Sequence, residues 1–439
     1  MKSKGLLTAS FLLLLLTGVL WWSNKRAAKA DKAPSESATT KLVIIPEDQF
    51  REIEIKHRNG ETVHLQRNDS KWQITAAKFL PADADAVSSM LSTLSSLSSD
   101  RTVEDKATSL DQYGLTQPAI ELDIIDKNKK TSRLLIGDDT PAGTAVYASI
   151  AGDPRVFALS SYKKSSLDKS PNDLRDKRLL TFDSDKVSSI ELTAKKQTIA
   201  FGRSKDEWQI VKPKPFRADR SEVEGLLRTL RDAKMDLSAS EDEKKAASTF
   251  SSGTPLASAR VTDVSGTQEL QVRKNKDDYY AKSSEVAGIY KISSDTGPGL
   301  DKGLDDFRNK KLFDFGFADP DKIELHDGSK NYSLTHSGDD WLSGSAKIDP
   351  GASSALIDKI RDLSASKFPE TGFTTAAMDL TVTSDGGKRI ERVFISKNGD
   401  NFVAKRQDEP ALYELTASAV TELQKAAADL KPAPPPGKK

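Results

Sequence analysis

From residue 50 onward apolar and polar positions alternate in short runs, and the same succession of runs returns three times. Each copy opens on a period-two stretch: Phe50-x-x-Ile53-x-Ile55, Val187-x-x-Ile190-x-Leu192 and Ile323-x-Leu325. Such alternation predicts strands with one buried face. A second strand follows (Val63-x-Leu65, Ile199-x-Phe201, Tyr332-x-Leu334), then polar turn residues, then Trp72, Trp208 or Trp341 on a third. This is the pattern of an antiparallel meander. Next come Ala82-Asp83, Ala218-Asp219 and Ile348-Asp349, where an aspartate suits the cap or first turn of a helix. Apolar residues then recur at helical spacing: Val87, Leu91 and Leu94; Val223, Leu227 and Leu230; Ile357, Ile360 and Leu363. The three tryptophans, with Leu91, Leu227 and Ile357, mark the repeated core.

The second half of each copy is again strand-like, beginning with Ile120-x-Leu122-x-Ile124 or Met378-x-Leu380-x-Val382. Tyr147-Ala148, Tyr280-Ala281 and Val403-Ala404 correspond, as do Phe157, Tyr290 and Tyr413. The first two copies close alike, with Asp173-Leu174-Arg175-Asp176-Lys177-Arg178-Leu179 against Asp306-Phe307-Arg308-Asn309-Lys310-Lys311-Leu312. These matches predict modules over residues 42–181, 182–315 and 316–430. A Pro-rich tail, 431–439, has the composition of a disordered or polyproline segment.

Ahead of the modules, Gly5 to Trp22 carries no charge and approaches the length needed to span a bilayer as a helix. Residues 1–23 are therefore expected to form a transmembrane signal anchor, and 24–41, without large apolar residues, a flexible linker. A cleaved signal peptide is the alternative. Lys25, Arg26, Lys29 and Lys32 after the span outnumber Lys2 and Lys4 before it, against a simple positive-inside count. The basic start and apolar run of an export signal favour the bulk of the chain outside the cytoplasm. The expected class is α+β: three diverged tandem repeats, each an antiparallel sheet with packed helices, after one N-terminal transmembrane helix. The expected localisation is a bacterial inner membrane, single-pass, with the bulk in the periplasm.

Charge and composition narrow the chemistry. The chain has 439 residues, with 66 Lys and Arg against 65 Asp and Glu, so no basic footprint marks a nucleic-acid partner. It has no cysteine, which removes disulfides and thiolate sites.

The W-x-I strand, the Ala-Asp helix start, Tyr113-Gly114-Leu115-x-x-Pro118, Leu135-Ile136-Gly137-Asp138 and the Leu174-Arg175 closure resemble the family catalogued as domain of unknown function 4340. The resemblance spans nearly all of the chain after the linker and is clearest in the first copy. It implies a single N-terminal membrane helix and a setting beside ABC-type transporters related to gliding-motility systems. The second copy departs at Phe250-Ser251-Ser252-Gly253-Thr254-Pro255, and the third lacks both Tyr-Gly-Leu and the arginine closure.

Candidate chemistry is sparse. The four histidines, His57, His64, His326 and His336, follow no zinc-site spacing. Gly137 to Gly143 holds Asp138 and Asp139 in what reads as a hairpin loop, with a small cation site as its functional alternative. Arg175 and Arg308 recur and could clamp a carboxylate or phosphate of a partner, or pair with a nearby aspartate where modules meet. No cofactor or metal is expected. The reading is a non-catalytic binding or scaffolding protein of the cell envelope, contacting the membrane through residues 5–22 and ABC-transporter subunits or other envelope proteins. Alternatives are a carbohydrate-active hydrolase using paired carboxylates, and a structural spacer.

Overall fold

The alternating runs fold into strands, and every strand pairing is antiparallel. The computed structural model describes residues 39–75, 79–205, 207–237 and 243–434. In the first module β1 (Phe50–His57), β2 (Thr62–Asn68), β3 (Lys71–Thr75) and β4 (Phe79–Pro81) step outward as a meander, and α1 (Ala84–Ser95) crosses back. After β5 (Arg101–Glu104), a second meander of β6 (Ile120–Asp126), β7 (Thr131–Asp139), β8 (Ala145–Ile150) and β9 (Val156–Ser160) grows from the other side of β1. The order is therefore β4-β3-β2-β1-β6-β7-β8-β9-β5. Helix α2 (Ser161–Leu167) packs beside α1, and a single turn, α3 (Pro171–Leu174), ends the module.

The second module repeats this plan with β10 (Ser189–Ala194), β11 (Gln197–Ser204), β12 (Glu207–Lys212), β13 (Phe216–Arg217), α4 (Arg220–Arg231), an added helix α5 (Glu243–Ser252), β14 (Thr254–Asp263), β15 (Gly266–Asn275), β16 (Asp278–Ser283), β17 (Ile289–Ile292), α6 (Thr296–Leu300) and α7 (Leu304–Phe307). The third has β18 (Lys322–Asp327), β19 (Lys330–Ser337), β20 (Asp340–Ser343), β21 (Ala346–Lys347), α8 (Pro350–Asp362), β22 (Met378–Ser384), β23 (Arg389–Asn398), β24 (Asn401–Arg406), β25 (Leu412–Leu415) and α9 (Ala417–Ala428). Both sheets have eight strands in the order of the first module without its β5.

The three long helices α1, α4 and α8 are superposable in sequence logic. Their buried residues are Val87, Met90, Leu91 and Leu94; Val223, Leu226, Leu227 and Leu230; Ser353, Leu356, Ile357 and Ile360. That spacing keeps one face on the sheet. Each helix is capped by its aspartate: Asp83 accepts from the Asp85 and Ala86 amides, Asp219 from Ser221 and Glu222, Asp349 from Ala352. Such a cap contributes about 1 kcal/mol. Ser353 is the one polar member of the stripe, and its hydroxyl bonds back to the Asp349 and Pro350 carbonyls.

A short strap closes each module beside the cap. The Asp83, Asp219 and Asp349 amides donate to the Leu174, Phe307 and Lys431 carbonyls, and the Asp176, Asn309 and Ala433 amides donate to the Pro81, Arg217 and Lys347 carbonyls. The third strap is thus made by residues 431–433, which composition assigns to the tail; residues 435–439 lie outside the described residues. A second strap opens each module: Leu42, Leu179 and Leu312 donate to the Leu97, Ala233 and Leu363 carbonyls at the end of the long helix. Leu179, Leu180 and Phe182 pack in the second core, and Leu312, Phe313 and Phe315 in the third. The second and third modules therefore begin a few residues earlier than the apolar pattern suggests. The chain up to Lys177 forms one compact unit, and the chain from Arg178, with two sheets, forms another.

Two expectations are corrected. The class is not α+β after a transmembrane helix: three antiparallel sheets of eight or nine strands dominate, and helices are few and short. The strands take over because the long-range pairing of β1 with β6, β10 with β14 and β18 with β22 turns two separate meanders into one sheet. No helix among the described residues is long and apolar enough to cross a membrane. The longest, α8, has 13 residues, about 20 Å of rise against a hydrocarbon core of roughly 30 Å. A single-pass inner-membrane placement with the bulk in the periplasm is therefore not supported; the span 5–22 on which it rested, and linker residues 24–38, lie outside the described residues. Thr40 and Lys41, expected in the linker, already belong to the first opening strap: the Ser99 amide donates to the Thr40 carbonyl, and Lys41 bridges Ser98.

Candidate functional site

The residues singled out in the first module by their motifs meet in space. Gly114 takes a left-handed conformation (φ +64°) at the end of a short turn, and a Cβ there would lie 2.3 Å from the Asp138 carboxyl carbon. A Cβ on Gly137 would lie 2.2 Å from the Tyr113 carbonyl oxygen. Gly137 is required by its close approach to backbone and Gly114 by its left-handed conformation, and Tyr-Gly-Leu and Leu-Ile-Gly-Asp form one packed unit. Arg58 pins it, donating to Asp138 Oδ1 at 2.9 Å, while the Tyr113 hydroxyl donates to Glu104 at 2.5 Å. That bond to Glu104 pushes the Tyr113 phenol up from its ordinary value. Asp139 faces Lys164 at 3.3 Å in the exposed β7–β8 hairpin. Asp138 and Asp139 are thus each committed to a cation.

The other modules hold the same place differently. Arg273, at the position of Gly137, donates to the carbonyls of Phe250, Ser251 and Gly253. Ser396 accepts there from the Thr374 amide at 3.3 Å. One task, anchoring the segment before the second meander, is met by a glycine, an arginine and a serine.

Arg175 and Arg308 occupy equivalent strap positions, bridging Ala82 and Ala218 respectively. Arg308 is buried, stacked between the rings of Phe216 (4.2 Å) and Phe368 (3.6 Å), with Asp305 at 3.5 Å. Burial pushes its guanidinium down, opposed by Asp305. It belongs to the contact between the second and third modules. Trp208 and Trp341 are buried and Trp72 is half-buried; Leu91, Leu227 and Ile357 are core residues.

Arg308 borders a larger charged set. Arg217 of β13 reaches the Asp314 carboxylate, Glu409 at 3.2 Å and the Tyr413 hydroxyl at 3.1 Å. Arg406, 3 % exposed, bonds Glu391 at 3.1 Å, Asp408 at 3.1 Å and the Leu312 carbonyl. Glu391, 4 % exposed, accepts from the Asp314 amide at 3.1 Å. Burial pushes the Tyr413 phenol up to about 12, reinforced by Glu409 and opposed by Arg217.

The solvent face of each sheet carries a lateral row of polar residues that motif reading misses. In the first module Glu54, Asp123 and Arg133 stand opposite one another across β1, β6 and β7. Arg133 forks onto Asp123 (2.6 and 3.0 Å), and Lys56 bridges Glu54, Glu121 and Asp123 at 3.1 to 3.3 Å. Burial would raise the Asp123 carboxyl, but Arg133 and Lys56 outweigh it and hold it low. In the second module the row is Glu191, Arg260, Glu269, with Arg260 between the two glutamates at 3.7 and 3.1 Å. In the third it is Glu324, Thr381, Arg392. The signal was present in the sequence as Ile53-Glu54-Ile55, Ile190-Glu191-Leu192 and Ile323-Glu324-Leu325. Among the described residues no group of three or more His, Asp or Glu is arranged to hold a metal ion.

A sheet-rich tandem repeat is the class that this geometry defines. The family described as Domain of unknown function (DUF4340) matches residues 72–209 and 208–382, and the chain belongs to it. Both matches start at a tryptophan on the third strand of a module. No curated protein matches the chain. A solved structure, the DNA polymerase III subunit beta from Pseudomonas aeruginosa, is similar at 7% identity over 85% of this chain and 94% of that one, with a TM-score of 0.14; a likeness this slight carries no argument.

Proposed function

We propose that this protein is a non-catalytic binding or scaffolding protein whose successive modules offer solvent-facing sheets to a protein partner. The observation that supports the reading is the lateral polar row that recurs on the solvent face of every sheet, Glu54-Asp123-Arg133, Glu191-Arg260-Glu269 and Glu324-Thr381-Arg392. Against the effect of burial, Arg133 and Lys56 hold the Asp123 carboxyl below its ordinary range, and Gln271 and Arg260 hold that of Glu269 below it. A glycosidase of the two-carboxylate kind needs one carboxyl group raised toward neutrality to serve as acid. Here Asp123 and Glu269 are instead tied into ion-pair rows that build the surface.

Crosslinking of the tagged full chain in intact cells, followed by mass spectrometry, tests this. Subunits of an ABC-type transporter, the partner class carried by the family resemblance, are the first to look for. The expected result is a defined set of proteins whose recovery falls when Lys56→Glu and Arg133→Glu reverse the first row. Turnover of chromogenic glycosides that disappears in Glu54→Gln would replace this reading with the hydrolase.

A further inference from the structure

The three rows act as internal controls for one another. In the first two, the middle position is charged, Asp123 or Arg260, and pairs directly with a neighbour in the row. In the third, the middle position is Thr381, and its short hydroxyl leaves Glu324 and Arg392 two strand spacings apart, roughly 10 Å between backbones. A half-open groove of about 630 Å³ lies over this gap, lined by Glu324, His326, Thr381, Arg392, Gln407 and Asp408, with the exposed Ile390 as an apolar edge. That size is within the usual range for small-ligand sites.

Charge complementarity specifies an occupant. A carboxylate at one end and a guanidinium at the other, with a neutral hydroxyl between, fit a dipolar molecule whose ammonium faces Glu324 and whose carboxylate faces Arg392. Both ends have partners of their own, Lys322 at 2.8 Å from Glu324, and Asp379 forked by Arg392. The Lys322 pair is exposed at both ends and contributes little, so a ligand ammonium can displace it. Arg392 holds the mostly buried Asp379 through Nε and Nη2, so a ligand carboxylate shares the guanidinium through Nη1 rather than displacing Asp379. The guanidinium fork also suits a carboxylate better than a lysine would. We infer that the solvent face of the third module binds a short peptide with both termini free, its apolar side chain resting on Ile390. This deepens the binding-protein reading above and rests on it.

The test is calorimetric titration of the full chain with unblocked di- and tripeptides of alanine and leucine, alongside N-acetylated and C-amidated forms. Saturable binding of an unblocked peptide is expected, weakened about tenfold or more by blocking either end. Glu324→Gln should abolish the preference for a free amino terminus, and Arg392→Gln that for a free carboxylate. Thr381→Asp, which rebuilds the first module's row, should remove binding while leaving the circular dichroism spectrum unchanged. Absence of saturable binding, or binding indifferent to blocked ends and to Thr381→Asp, overturns the inference. If crosslinking still recovers partners in that event, the scaffold reading stands without it; cleavage of the peptides during titration would instead overturn the non-catalytic reading.

Discussion

The opening straps of the second and third modules make the same hydrogen bonds with different chemistry. In the second module the Thr181 amide donates to Gln268 at 2.8 Å, and the Ser283 hydroxyl donates to the Leu179 carbonyl. In the third, the Asp314 amide donates to Glu391 and Arg406 donates to the Leu312 carbonyl. Gln268 and Glu391 hold corresponding places on β15 and β23, as do Ser283 and Arg406 at the ends of β16 and β24. The fold therefore requires one acceptor and one donor, and a neutral pair suffices. The charges in the third module do something further: they draw in Arg217 from β13, which in turn meets Glu409 and Tyr413. Where Arg217 stands in the second module, the first has Pro81, identified by the shared strap bond to Asn309 or Asp176.

Breaking the charged set at one point should have the largest effect. Arg406→Ala leaves the buried Glu391 with only Arg389 and the Asp314 amide, and the Leu312 carbonyl without its donor, a loss of about 3 kcal/mol in chemical denaturation. Alkaline pH should loosen the same region. Tyr413 has a folded pKa raised to about 12, against about 10 unfolded. The folded state then holds the proton more tightly, so the stability is complete below pH 10 and is lost as pH rises from about 10 to 12. Tyr413→Phe should flatten that fall in a pH series of unfolding curves.

The motif unit of the first module should respond next. Gly137→Ala drives a methyl into the Tyr113 carbonyl, and a backbone oxygen cannot swing aside as a side chain can. Overpacking of this kind costs about 1–3 kcal/mol; the loss should appear in the unfolding of the chain up to Lys177 and spare the second unit. The smallest effect belongs to Asp138→Asn, which weakens an exposed pair with Arg58 and should cost less than about 1 kcal/mol.

Much of this organisation was legible in the sequence because it depends on local periodicity. Alternation exposed the strands, the three tryptophans exposed the repeat, and the aspartates before Val87, Val223 and Ser353 proved to be caps. What was hidden depends on long-range pairing. Nothing local in Ile120-x-Leu122-x-Ile124 says that it lies beside β1 rather than beginning a new sheet. Glu391 and Arg406 are charged residues with charged neighbours, Arg392 and Lys405, and both are buried because the opening strap folds over them. The solvent-face rows are not legible locally, because a single Glu between two apolar residues resembles any exposed strand position until the partner strand is known. The recurrent arginines looked most like a site, and for Arg308 the two phenylalanine rings that enclose it come from residues far apart in the chain.

The most direct test is a double-mutant cycle of Arg406→Ser and Glu391→Gln, which installs the second module's neutral pair in the third. Each single change should be strongly destabilising, and the double mutant should recover most of the loss, giving a coupling of about 2–3 kcal/mol. If the two losses simply add, the strap does not work as an exchangeable donor and acceptor, and the account of the module junction is wrong.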